Sequence, residues 1–470
     1  MTLDRAPTRL ALAATVLACL VPIVWPGDIP FINDEPLLIA NAVRANGESR
    51  LASMGLQGTF GFAYGPVPTW IYQALMGVTD NLIVVAALHA VILSAATAGA
   101  LWWLGRSLDL PAWFVPVPLL SPYFWFYSRV LWDNPVLLPL GALAVAGYAA
   151  FLKRGSPAGL RASWAALLLI PLVHLMGLAL AAPLAAHMAA FNARALWRHK
   201  WSLAIVSIAV VAASAPYCLY LLGPRPDTPP GGGGAEGWLF PLFGGRLLSA
   251  TGLAYFYGAA PVAGPLFAVT SAVTMLAYVL VWAGLGLALA GCLMGGRPRR
   301  WSPRAHVGAV AVAALGCQSV IDGISGRFQH PHYQNGTWIV FVLLAWLAID
   351  ALASRAGWPR RGAVLLTGVL AASLLISVAA LALDLHRHGG TREVYGPTLA
   401  NQLRVARALA GYDPSSDLQI RVSMWERFPH APAILRDLSR PRLARLPRRD
   451  LLVRYASGDT ASGFIELVER

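Results

Sequence analysis

Long apolar stretches separated by short polar segments run through most of the chain. Many of them reach the roughly 20 residues that an α-helix needs to cross a bilayer, and they are continuous rather than alternating. The pattern therefore predicts membrane-spanning helices and argues against a β-barrel. The first run, Leu10 to Gly27, is uncharged, follows Arg5 and Arg9, and lacks a clear small-x-small cleavage site. We interpret it as an uncleaved span rather than a signal peptide.

The apolar runs predict about eleven spans in residues 1–384. A long loop, 26–66, follows the first span. The uncharged run 162–193 is too long for one crossing, so we predict two crossings that turn near His174 to Gly177. The predicted spans are 8–25, 82–104, 111–128, 131–152, two within 162–193, 201–222, one within 247–294, 306–322, 337–353 and 363–384.

The basic residues predict the topology. Charged residues are 12% of the chain and hydrophobic residues 57%, with a net charge of +14. Such a charge could suit nucleic acid, but much of it lies in short loops between spans, where Lys and Arg mark the cytoplasmic side. Anionic lipid headgroups are the expected counter-charge. The bias predicts a cytoplasmic N-terminus and an extracytoplasmic C-terminus. Only Lys153 and Lys200 are lysines, which indicates GC-rich coding and a bacterial inner membrane.

Residues 385–470 differ in composition from the membrane part and are called the C-terminal domain here. They are polar and rich in Arg. The pattern predicts a helix over Glu393 to Leu409 and strands over Leu418 to Met424, Leu451 to Tyr455 and Phe464 to Val468. The fold class is thus an all-α polytopic membrane protein with a small extracytoplasmic α/β domain.

Most of the unusual ionisable residues fall in the predicted outside loops. Membrane proteins avoid charged groups inside the membrane unless they are paired or functional, so this grouping predicts a site at the outer face. The candidates are Asp34, Glu35, Tyr64, Arg129, Asp133, His174, Arg327, His330, His332 and Tyr333.

Each candidate also has a purely structural interpretation. Asp34 would cap a helix that begins near Pro36. Arg129 and Asp133 would form an ordinary pair across a turn, and His174 would be a packed core histidine. The segment around His332 would anchor a loop at the interface. A metal needs more than the two ligands of the H-x-H pattern.

Four short motifs resemble those of the membrane-embedded C-type glycosyltransferases (GT-C), in the branch of protein O-mannosyltransferases and aminoarabinose transferases. They are Asn33-Asp34-Glu35 before a surface helix, Tyr64-Gly65-Pro66-Val67-Pro68, Ser128-Arg129 with Asp133-Asn134-Pro135, and His332-Tyr333 before a late span. The likeness covers the architecture of residues 1–384. One motif departs from the aminoarabinose branch, where we expect a charged residue before a Pro-Pro pair and this chain has Tyr64-Gly65 before Pro66.

The resemblance implies transfer of a hexose or pentose from a polyprenyl-phosphate donor to a glycan, lipid or protein acceptor at the outer face. Asp34 is the expected base, with Glu35 as its neighbour, metal ligand or substitute. Arg129 and Arg327 would bind the phosphate, helped by the histidines. A divalent cation, Mg²⁺ or Mn²⁺, between Asp34 and the phosphate is an option that the residues leave open.

Two other functions are compatible with the outside charges. A transporter or flippase of lipid-linked saccharides would also need outside Arg and His, but it should carry charges deep in its spans, where this chain has few. A non-catalytic assembly subunit would use residues 385–470 to contact a partner, and it predicts that Asp34 and Arg129 are dispensable.

Overall fold

The computed structural model describes residues 5–58, 63–223, 239, 248, 264–294, 301–325, 331–354, 357–392, 394–439, 446–456 and 462–469. These residues form mainly α-helices, with one small β-sheet in the C-terminal domain. The prediction of a mostly helical protein with a few strands near its C-terminus is therefore confirmed.

The first part of the chain contains four helices and the long loop between the first and third of them. Asn81 caps the fourth helix, because its side chain accepts a hydrogen bond of 3.1 Å from the backbone N–H of Ile83. The helices are α1 (Arg5–Leu20), α2 (Asp34–Gly47), α3 (Val67–Val78) and α4 (Leu82–Ser107).

The predicted span 111–128 is not one continuous helix. It consists of a short 3₁₀ turn and two short helices, α5 (Pro116–Leu119) and α6 (Pro122–Arg129). Proline lacks a backbone N–H and clashes with the preceding turn of a helix, so the four prolines between 111 and 122 interrupt any longer helix. Helix α7 (Leu137–Arg154) follows, and Gly155 ends it in the left-handed conformation with φ of 63°.

The prediction of two helices within 162–193 agrees with the structure. Helix α8 (Pro157–Leu169) continues as a 3₁₀ turn to Leu172, and His174 adopts an extended backbone with φ of −159°. Helix α9 (Leu178–Arg198) then runs back. The next two helices are α10 (Lys200–Ala213) and α11 (Ala215–Leu222).

Five helices complete the described membrane part. The helix Leu276–Met294 packs closely on the helix Trp338–Ala353, because a Cβ on Gly284 would lie 1.7 Å from the carbonyl oxygen of Leu344. Only glycine allows that approach. The helices are α12 (Gly264–Thr274), α13 (Leu276–Met294), α14 (Pro303–Ser325), α15 (Trp338–Ala353) and α16 (Trp358–His388).

The chain is a multi-pass membrane protein. In the described part, six helical stretches are long and apolar enough to cross a membrane, and the pair α10 and α11, bent by 77°, would make a seventh. Three shorter apolar helices also occur. The predicted total of about eleven spans and their orientation stay predictions.

The C-terminal domain contains a three-stranded sheet in the order β1-β2-β3. Strand β1 (Leu418–Arg421) is parallel to β2 (Leu451–Tyr455), which is antiparallel to β3 (Ile465–Glu469). The three strands confirm the prediction within three residues at each end. The observed helix α17 (Leu399–Ala410) begins later than the predicted helix. Two helices that we did not predict, α18 (Ser423–Arg427) and α19 (His430–Ser439), lie between the strands.

The C-terminal domain packs against the long loop that follows α1. The backbone N–H groups of Leu399 and Ala400 donate to the carbonyl oxygens of Ile29 and Gly27, at 2.8 and 2.9 Å. Leu399 also lies in one apolar cluster with residues of the loop, of α2 and of α19. The loop after the first helix is thus held between the membrane helices and the C-terminal domain.

Candidate active site

A cavity of 470 Å³ opens between the loops that connect the membrane helices and the C-terminal domain. Its walls come from parts of the chain that are far apart in sequence. Seven of the ten candidate residues line it, and they are Asp34, Glu35, Tyr64, Asp133, His174, His332 and Tyr333. The grouping predicted from the outside loops is thus found as one cavity.

Asp34 is the first residue of α2 and is half-buried in the cavity wall. Its Oδ2 accepts a hydrogen bond of 3.1 Å from the indole Nε1 of Trp132. No side-chain hydrogen bond from Asn33 caps α2. The bond to Trp132 leaves the other carboxyl oxygen for a ligand. Burial raises the pKa of Asp34, while the Trp132 hydrogen bond and the charge of His430 lower it.

Glu35, and not Asp34, holds the start of α2. Its Oε2 accepts from the backbone N–H groups of Ile32 and Asn33, at 3.3 and 3.1 Å. The side chain is buried. Burial, followed by the charge of Asp34, raises the pKa of Glu35 to about 7. The two adjacent carboxyl groups therefore have different partners, and Asp34 is the more accessible of the two.

This raised pKa predicts how stability depends on pH. In the folded protein Glu35 keeps its proton up to about pH 7, whereas its ordinary pKa is 4.5. The stability that this protonation contributes is therefore complete below pH 4.5 and is lost as the pH rises through 7. The melting temperature of Glu35→Gln relative to that of wild type should therefore be higher at pH 8 than at pH 5. Differential scanning fluorimetry checks this, with the exposed Glu48→Gln as control. A variant whose melting temperature follows wild type at both pH values would contradict it.

Asp133 lies on the turn between α6 and α7 and is 2% exposed. Its Oδ1 accepts from the backbone N–H and the Nδ2 of Asn134, at 2.7 and 3.0 Å. Its Oδ2, on the same cavity wall, has no partner in the described part of the chain. Burial, followed by the charge of Asp34, raises the pKa of Asp133 well above its usual range.

Arg129 is not in the cavity lining that the structure describes. Its Nη2 donates to the carbonyl oxygens of Trp25 and Asp28, at 2.7 and 2.9 Å, and its guanidinium lies 4.5 Å from the ring centre of Trp125. The ordinary pair with Asp133 is not formed, because Asp133 bonds to Asn134 instead. Arg129 ties the end of the first membrane segment to α6.

Tyr64 and His174 face each other across the cavity wall, with ring centres 4.1 Å apart. His174 Nδ1 accepts from the backbone N–H of Met176 at 3.2 Å, which fixes the ring at the start of a 3₁₀ turn. Burial lowers the pKa of His174 to about 3, so the ring is neutral. A neutral histidine binds polar groups of a ligand but adds no positive charge.

His332 and Tyr333 complete the apolar side of the wall. The His332 ring lies 4.4 Å from that of Trp132, which in turn bonds to Asp34. Arg327 and His330, the remaining candidates, lie outside the described residues. Aromatic rings thus lie beside the Asp34 carboxylate on this wall.

The C-terminal domain contributes cavity residues that sequence reasoning missed. They are Val394, Met424, Arg427 and Phe428. The Nε2 of His430 contacts the carbonyl oxygen of Asn33 at 2.7 Å and so joins this wall to the residue before Asp34. These residues lie around a tryptophan that follows the first predicted strand. That segment carries no chemical motif, so the sequence did not mark it as part of a site.

Few of the described side chains at the cavity could coordinate a metal ion. In the part of the chain that the structure describes, no group of three or more His, Cys, Asp and Glu side chains is arranged to hold a metal ion. Asp34 and Asp133 are two carboxylates on one cavity. A Mg²⁺ or Mn²⁺ ion there would need further oxygen ligands from a substrate or from water.

The overall arrangement can be compared with known proteins. No protein-family model and no curated protein sequence matches the chain. The crystal structure of ArnT, an aminoarabinose transferase from Cupriavidus metallidurans, bound to undecaprenyl phosphate, is similar with a TM-score of 0.57 and 14% identity, over 96% of this chain and 93% of that one. The chain has the GT-C fold.

Two further structures are similar to this GT-C chain. ArnT in its apo state matches with a TM-score of 0.53 and 14% identity, over 95% of this chain and 92% of that one. The oligosaccharyltransferase of Archaeoglobus fulgidus in its apo form matches with a TM-score of 0.49 and 11% identity, over 92% of this chain and 65% of that one. At these identities the likeness to ArnT shows the fold, and the resemblance predicted from the short motifs is confirmed at that level.

Proposed function

We propose that the protein is a membrane glycosyltransferase that moves a sugar from a polyprenyl-phosphate donor to an acceptor. The observation that carries the proposal is the Asp34 carboxylate, half-buried beside aromatic rings in a cavity of a GT-C fold. One GT-C structure of the same fold, ArnT, was solved bound to undecaprenyl phosphate. That ligand belongs to ArnT, and we extend its chemical class to this chain.

Asp34 is the proposed general base. The acceptor hydroxyl oxygen forms a bond to the anomeric carbon of the sugar, while the bond between that carbon and the phosphate oxygen breaks. The hydroxyl proton goes to Asp34, and the polyprenyl phosphate leaves with the bonding electrons. The hydrogen bond from Trp132 orients the carboxylate for this role. Glu35 shapes the loop, and Asp133 and His174 bind polar groups of the substrates.

The location follows from the same proposal. We propose a bacterial inner-membrane protein with about eleven spans, a cytoplasmic N-terminus and the cavity at the outer face, as the Arg clusters indicate. A lipid-linked donor would reach the cavity from the bilayer, and the acceptor would enter from the aqueous side. The sugar is a hexose or a pentose.

A transfer assay tests the function. The protein is purified in detergent and incubated with a panel of radiolabelled polyprenyl-phosphate sugars, with membrane extract as acceptor. We expect label to move from one donor class into the extract. No transfer from any donor, with lipid-phosphate sugars still bound, would contradict the proposal and favour a transporter.

A divalent cation at Asp34 is a separate proposal, and a chelator tests it. If Asp34 helps to hold a Mg²⁺ or Mn²⁺ ion that would stabilise the charge of the departing phosphate, EDTA should remove most of the transfer activity and either metal should restore it. The control is EDTA already saturated with Mg²⁺, which should have no effect. Full activity in excess EDTA would exclude the cation from the reaction.

A further inference from the structure

The charges on the cavity wall do not suit a phosphate by themselves. Three carboxyl groups, of Asp34, Glu35 and Asp133, line the cavity. Burial raises the pKa of all three, and any of them that is ionised adds negative charge to the wall. The His174 ring is neutral. A phosphate group placed here would be repelled unless a cation on the wall compensates.

The C-terminal domain supplies that cation. Arg427 is the last residue of α18 and lines the cavity together with its neighbours Met424 and Phe428. Its guanidinium carbon lies 5.3 Å from the ring centre of Phe428. The contact of His430 with the carbonyl oxygen of Asn33, at 2.7 Å, holds this segment beside the start of α2. Arg427 and Asp34 therefore line the same cavity.

Arg427 differs from other arginines of the same domain in its partners. Four of these donate to carbonyl, amide or carboxyl oxygens and so hold the domain together, and they are Arg392, Arg404, Arg436 and Arg454. Within the described residues, Arg427 forms no hydrogen bond or ion pair with an oxygen acceptor. Its side chain is exposed. Its donors are thus available to a ligand.

We propose that Arg427 binds a phosphate group of a substrate, which makes the C-terminal domain part of the active site. A guanidinium offers two parallel N–H donors that match two phosphate oxygens. The inference rests on the proposed function, because it assumes that the cavity takes a phosphorylated substrate. The phosphate belongs either to the polyprenyl-phosphate donor or to a phosphorylated acceptor, and the experiment separates these sources.

The test measures binding to the full-length protein in detergent, by the change in tryptophan fluorescence. The probes are undecaprenyl phosphate, its uncharged alcohol undecaprenol, and inorganic phosphate. The variants are Arg427→Gln, Arg427→Lys, and Arg421→Gln as a matched control, since Arg421 is an exposed arginine of the same domain outside the cavity lining.

We expect Arg427→Gln to weaken the binding of a phosphate probe by tenfold or more, as for loss of a charge-assisted hydrogen bond. Arg427→Lys should recover part of it, and Arg421→Gln should bind as wild type. An effect on undecaprenyl phosphate identifies the donor as the source, and an effect on inorganic phosphate alone identifies the acceptor.

Three results would overturn the inference. They are unchanged binding of both phosphate probes by Arg427→Gln, an equal loss for undecaprenol, or no phosphate binding by wild type. Because binding is measured without sugar transfer, failure of the transfer assay leaves this result intact. The two proposals can therefore fail separately.

Discussion

Replacing Asp34 by Asn should lower the rate of sugar transfer by roughly 10²–10⁴-fold, the usual contribution of a general base. Asn has nearly the same shape and can still accept the hydrogen bond that Trp132 donates at 3.1 Å to Asp34 Oδ2, so the cavity should keep its structure. It cannot take the acceptor proton. The measurement is the initial rate with saturating donor, and donor binding should change little.

Two variants make this prediction specific. Asp80→Asn removes an exposed carboxylate between α3 and α4, away from the cavity lining, and should transfer at the wild-type rate. Glu35→Gln tests the neighbour. If Asp34→Asn stays active while Glu35→Gln is inactive, the base is Glu35 and the assignment to Asp34 is wrong.

The pH profile of wild type provides a second readout for Asp34. A base works only when it is deprotonated, so the rate should fall as the pH drops through the pKa of the base. Burial raises that pKa above the ordinary 3.8. The acid limb should therefore lie at a higher pH than for an exposed aspartate, and Asp34→Asn should abolish it.

Gly65→Ala should destabilise the protein and reduce transfer together. A Cβ at this position would lie 2.1 Å from the carbonyl oxygen of Leu172 and 2.4 Å from its carbonyl carbon. These are backbone atoms, so no side-chain rotation relieves the clash. Overpacking typically costs about 1–3 kcal/mol, occasionally more. We expect a melting temperature lower by several degrees. We also expect weaker substrate binding, because Gly65 sets the distance between Tyr64 and His174.

Gly77→Ala is the matched control. Gly77 lies in α3, twelve positions further on, and a Cβ there would meet no heavy atom within 4 Å. Since Ala favours a helix over Gly by about 1 kcal/mol, this variant should be as stable as wild type or slightly more stable. A Gly65→Ala protein with wild-type melting and transfer would show that the loop can shift away from Leu172 without cost.

The sequence predicted those parts of the fold that follow from local patterns. Continuous apolar runs predicted the long helices, and the length of one uncharged run predicted the break near His174. The pattern of the C-terminal part predicted β2 with the bounds that the structure gives, Leu451–Tyr455. The segment 111–128 does not form the single continuous helix that its apolar composition predicted, because the proline rings and the missing proline N–H groups interrupt it.

The site was predicted as a set of residues but not as a set of contacts. The spacing of Arg129 and Asp133 suggested a pair, yet α6 ends at Arg129 and Val130 is extended, with ψ of 133°, which carries Asp133 away. Glu35, instead of Asp34, accepts the backbone hydrogen bonds at the start of α2. Arg427 could not be found from the sequence, because the contact that places its segment, between His430 and Asn33, joins residues 397 positions apart.

That long-range contact also fixes the order in which the cavity can be assembled. A ribosome makes Asp34 early, and it makes the segment with Met424, Arg427 and Phe428 only after all the described membrane helices. A nascent chain therefore carries its carboxylates for most of its synthesis without the wall that faces them. The cavity closes only once that later segment has been translated and has folded against the loop, so an unfinished chain has no complete site with which to act on the lipid around it.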